Sequence, residues 1–126
     1  MQIAVRGGAA ERVAADALAL GILEGTQRPS GAAQAVDKAA GGAIREVLKS
    51  GDFTGKAGQV VVLYPTSGRL KRIILVGLGA EKGLDGERIR QAAGSAVTRA
   101  RAMGVKTLAT VVHGAGKGGL DPAAAA

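Results

Sequence analysis

Apolar residues fall along this chain in two rhythms. Two runs near the middle, Val60 to Leu63 and Ile73 to Val76, are short, unalternated and rich in β-branched residues. Runs of that kind, bounded by turn formers, read as strands buried on both faces. Between them Pro65-Thr66-Ser67-Gly68 joins a fixed φ to a residue that tolerates positive φ, so a turn connects the two. They are expected to form the centre of a sheet that the rest of the chain covers.

Before them, Gln2 to Val5 is short and apolar and reads as a first or edge strand, broken by Gly7-Gly8. Ala17 to Leu23 follows Asp16, is closed by Glu24-Gly25, and is too short for a helix, so it reads as a buried strand. The rhythm then changes. Val36, Ala40, Ala43, Ile44, Val47 and Leu48 recur at helical spacing, with Asp37, Lys38, Arg45 and Lys49 off that stripe. One helix from Gly31 to Ser50 is predicted, capped by Ser30 and ended by Gly51. Gly41-Gly42 inside it costs about 1 kcal/mol per glycine relative to Ala, which suggests close approach to a neighbouring strand.

After the central strands, Gly77-Leu78-Gly79 is expected to open a loop that closes at Leu84-Asp85. Asp85 caps a second helix, Gly86 to Met103, with a buried stripe of Ile89, Ala93, Ala96, Val97, Ala100 and Met103. Gly104 stops it, and Val105 to His113 reads as a last strand. The order β-β-α-β-β-α-β implies an α/β layered domain, with a mixed, mainly parallel sheet flanked by helices. Strands joined through a helix are parallel by right-handed crossover, and the pair around Pro65 is antiparallel.

Composition narrows the chemistry. At 126 residues the chain fits one domain, and 47% apolar with 21% charged residues is ordinary for a soluble globular protein. The lack of Cys excludes disulfides, thiolate metal sites and cysteine nucleophiles. No apolar run approaches the ~18 residues that a membrane span needs, and charges interrupt the N-terminus where a signal peptide is apolar. A cytoplasmic location is expected. Seventeen Lys and Arg against ten Asp and Glu leave a net charge of +7, spread along the whole chain.

Candidate sites are few. Gly77 to Gly83 lies between a strand and a helix as a dinucleotide loop would, but its G-x-G-x-x-x-G spacing is one residue too long and Asp85 stands where phosphate belongs. His113 to Gly119 has neither the first Gly nor the Ser or Thr of a P-loop and reads as a connection between domains. One His and mostly isolated carboxylates supply no metal ligand set and no nucleophile with its base. Basic residues remain. Arg69, Lys71 and Arg72 cluster beside the central turn as candidate nucleic-acid contacts, and Arg88 with Arg99, and Arg90 with Arg101, share faces of the second helix. With Tyr64 and Phe53 the only aromatics, single-strand stacking has little to work with, so backbone-directed, salt-sensitive duplex binding is the form it would take.

Three linked stretches point further: ADALALGILEG; AVDKAAGGAIREVLKSGDFTGKAGQVVVL; and KRIILVGLG before the capped helix. Over about residues 15 to 113 they resemble, in order and spacing, the N-terminal domain of the cytosolic leucyl aminopeptidases. VDKAAGG, GDFTGKAGQ and ILVGLG are the specific elements. The resemblance implies a macro-domain-like fold and a chain of two domains assembling as a homo-hexamer. It also implies a C-terminal catalytic domain in which two divalent metals, Zn or Mn, activate water to remove N-terminal amino acids from peptides. That domain's NTDAEGR-type segment does not occur here, so no catalytic, cofactor or metal residue is carried over to this sequence.

Residues 1–113 are therefore expected to be the non-catalytic domain, and 114–126 the start of a connection to the catalytic one. Asp121-Pro122 opens a helix at the end of the sequence, which suggests a longer parent protein. The expected role is accessory to a metalloaminopeptidase, in assembly and in access to its active sites. A DNA-binding module using the basic surface is the alternative. Binding of ADP-ribose at Gly77 to Gly83 is the third reading.

Overall fold

The computed structural model describes residues 2–6, 16–65 and 70–111. Its strands are β1 (Gln2–Arg6), β2 (Ala17–Leu23), β3 (Val60–Leu63), β4 (Ile73–Gly79) and β5 (Thr107–Val111). The helices are α1 (Ala32–Ala39), α2 (Ala43–Ser50) and α3 (Gly86–Ala102). One sheet runs in the order β1-β5-β2-β4-β3. β1 with β5, β5 with β2 and β2 with β4 are parallel, while β3 runs antiparallel to β4. The expected layered α/β class is what the chain adopts.

Alternation along the inner strands sorts their side chains into two cores. Leu18, Leu20, Ile22, Ile73 and Leu75 meet Val36, Ala40, Ile44 and Leu48 of the α1–α2 segment, together with Phe53. Ala17, Ala19, Ile74, Val76 and Leu108 meet Ala96 and Ala100 of α3 and Val105. β2 thus presents large side chains to one helical layer and alanines to the other. The unalternated sequence of β2 and β4 reflects burial on both faces, each large aliphatic side chain contributing roughly 1.5–3 kcal/mol.

Several expectations need correction. β2, not the β3–β4 pair, is the centre of the sheet. β3 is an edge strand, half-buried along its length, because among the described residues only β4 pairs with it. β4 does not end at Val76 but continues buried through Gly79, so Gly77 opens no loop. In α3, Ala92 is half-buried and Ala93 exposed, a shift of one position within the predicted stripe. The last strand begins at Thr107, not Val105, and is described as far as Val111; Val112, His113, the Thr66–Arg69 part of the central turn and residues 114–126 lie outside the described residues.

The larger correction is the single helix. Residues 31–50 form two eight-residue helices because Gly41 and Gly42 both take positive φ, 73° and 87°, which an L side chain rarely adopts. The break is held from within. Asp37 is only 5% exposed, and its Oδ1 accepts hydrogen bonds from Ile44 N at 2.8 Å and Arg45 N at 3.0 Å. A residue of α1 thereby caps α2, whose own N-cap, Gly42, has no side chain to do so. Ser30 caps nothing here; Gly31 is the N-cap of α1. Asp37 looks polar and off the stripe in sequence, yet it is the one buried charged side chain among the described residues.

Replacing Asp37 tests this corner. Asp37→Ala strands two amides, one of them buried, and is expected to cost about 2 kcal/mol. Asp37→Asn retains an acceptor oxygen and should cost less. Urea unfolding measures both, and equal stability of Asp37→Ala and the parent would contradict the assignment.

Candidate functional site

The sheet has two ends, and the sequence places different chemistry at each. At the C-terminal ends of β2 and β4 lies the segment Asp52 to Gln59. Gly77 N donates to Gln59 O at 2.7 Å and Gly79 N to Gly55 O at 2.8 Å. On the other strand, Glu24 N donates to Gly79 O at 2.9 Å and Gly25 N to Thr54 O at 3.2 Å. The Gln59 side chain organises the segment, its Oε1 accepting from Thr54 N at 2.9 Å and Gly55 N at 3.0 Å. Phe53, 1% exposed, anchors it in the α1–α2 core.

This strap lies on the strands backbone to backbone. A Cβ on Gly77 would sit 1.8 Å from Lys56 O, and one on Gly55 2.6 Å from Leu23 O. Gly77 of ILVGLG is therefore a space for a carbonyl group, while Gly79, at φ 77°, stands against the Arg88 guanidinium. Gly77 and Gly79 spend their amides on the strap, and Leu84 N donates to Glu81 O at 3.1 Å. Asp85 caps α3 as expected, accepting from Arg88 N at 2.8 Å. Arg88 itself is half-buried, its Nη1 donating to Ala80 O at 3.3 Å. Within the 77–83 stretch the Gly77 and Gly79 amides are thus taken by the strap.

The N-terminal ends of the strands carry the basic residues. Lys71 is exposed and Arg72 half-exposed just before β4, and Arg72 O accepts from Leu18 N at 3.0 Å. Exposed Lys106 precedes β5, and exposed Arg101 lies in the last turn of α3 at the same end. Asp16 ties this end together: its amide donates to Thr107 Oγ1 at 2.9 Å and its Oδ2 accepts from Lys106 N at 3.1 Å. Tyr64, 65% exposed, follows the last residue of β3 there as well. Arg69 lies outside the described residues. The α3 pairs do not form one cluster, because eleven residues of helix separate their members by ~16 Å. Arg88 and Arg90 sit toward the strap, where Arg90 pairs with Glu87, while Arg99 and Arg101 sit at the opposite end.

Among the described residues no three His, Cys, Asp or Glu side chains are grouped to hold a metal ion. The donor set that paired divalent metals require is not among them.

Residues 19–126 match the model of the cytosol aminopeptidase family, N-terminal domain. The chain belongs to that family. A relative from Alkaliphilus oremlandii, named "Probable cytosol aminopeptidase", is 35% identical over 120 residues, covering 94% of this chain and 24% of its own length. One from Geobacter sulfurreducens with the same name is 42% identical over 80 residues, 62% of this chain and 16% of its own. The chain thus spans at most about a quarter of these relatives, at the part the family model calls N-terminal.

Solved structures agree on the fold. A mutant of tomato leucine aminopeptidase superposes with a TM-score of 0.69 at 24% identity, over 88% of this chain and 23% of that one. The macrodomain of Mycobacterium tuberculosis DarG superposes with a TM-score of 0.73 at 20% identity, over 98% and 84%. A macro-domain-like architecture is therefore what this aminopeptidase-family domain has. No helix among the described residues is long and apolar enough to cross a membrane.

The family-marking glycines can be tested against an indifferent one. Gly77→Ala drives a methyl into a backbone carbonyl and is expected to destabilise the domain by about 3 kcal/mol or more. Gly94→Ala, on α3 with open space around it, is expected to stabilise by about 1 kcal/mol. Urea or thermal melts of the two variants decide, and a tolerated Gly77→Ala would refute the close approach of Lys56 O.

Proposed function

We propose that this domain is the non-catalytic N-terminal part of a metal-dependent leucyl aminopeptidase, and that it serves assembly and access to the active sites. The observation that carries this reading is the family match over residues 19–126, in a chain that spans at most about a quarter of its relatives. In this reading two divalent ions, Mn or Zn, are held in the part of the protein that follows the domain. The described residues do not fit such ions, and no step of the chemistry is assigned to them. The parent acts on peptides, as a cytoplasmic homo-hexamer, with the catalytic domain as this domain's first partner.

The test compares the 126-residue chain with one extended by the C-terminal domain that the reading requires. The extended protein is expected to release p-nitroaniline from Leu-p-nitroanilide when supplied with Mn or Zn. The shorter chain is expected to remain at the blank rate. Hydrolysis by the purified short chain under those conditions would overturn the assignment.

A second reading is favoured by the N-terminal end of the sheet, where Lys71, Arg72, Arg101 and Lys106 share one rim with an exposed tyrosine. These side chains could neutralise phosphates of duplex DNA without reading its sequence. Affinity is then expected to fall steeply with salt, and Lys71→Glu with Arg72→Glu to reduce the slope of log K against log[salt] by about 1 for each phosphate left without its cation. Fluorescence anisotropy with a labelled duplex measures it. No binding at low salt would dismiss the reading.

A further inference from the structure

We draw no further inference here: the strongest candidate, the outer edge of β3 with the exposed Tyr64 just after it, is an apolar edge that pairs with no other strand among the described residues, and nothing in the structure shows what covers it.

Discussion

The end of β4 can be closed only because two stretches of main chain approach one another with no side chain between them. Lys56 O occupies the place where Gly77 would carry a Cβ, and Leu23 O would also clash with a Cβ on Gly55. Gly77 lets the strap reach β4, and Gly55 lets the strap reach the end of β2. From that approach the neighbouring structure follows. Gln59 O takes the Gly77 amide, so the next residue, Val60, enters register opposite Val76, and the antiparallel edge strand is laid down. Phe53 is drawn into the core below, and the turn after β2 is pinned through Thr54 O. Backbone groups that would otherwise be stranded at the strand ends find partners within this small region.

The opposite strategy operates in the helical layer. Two helices of eight residues are each too short to be stable alone, since nucleation cost is recovered only over longer segments or by packing. Asp37 couples them by serving as the cap of the second from inside the first, while Val36, Ile44 and Leu48 bury their shared apolar face. The stretches that identify the family, VDKAAGG, GDFTGKAGQ and ILVGLG, thus prove to be a helix corner, a strap and the strand beneath the strap. They are devices of folding.

Charge is distributed by the same topology. Because β2, β4 and β5 run parallel, the residues preceding them gather at one rim, which brings Arg72 and Lys106 to the same end of the sheet although 34 positions separate them. α3, crossing back from β4 to β5, delivers Arg99 and Arg101 to that rim and leaves Arg88 and Arg90 at the other. Among the described residues, basic side chains far apart in sequence thereby share one rim.

Much of this was legible in the order of residues. The β-branched runs marked strands, Asp85 marked the start of α3, and the alternation of strands and helices implied a layered α/β sheet; these are local matters of propensity, capping and periodicity. The linked motifs were enough to name the family. Strand order was not legible, since whether Val60 to Leu63 lies at the centre or the edge depends on which strands pair, and both positions tolerate the same apolar run. Nor was the break at Gly41-Gly42, because helical spacing of Val36, Ala40, Ile44 and Leu48 persists across it. Asp37 reads as a solvated charge until the fold brings two amides to its carboxylate, and Gly77 reads as a loop residue until Lys56 O is seen against it. Sequence alone determined the strand-forming runs, the start of α3 and the family, through propensity, capping and linked motifs. Tertiary structure alone decided the strand order, the buried cap and the role of the glycines, because each depends on segments that only folding brings together.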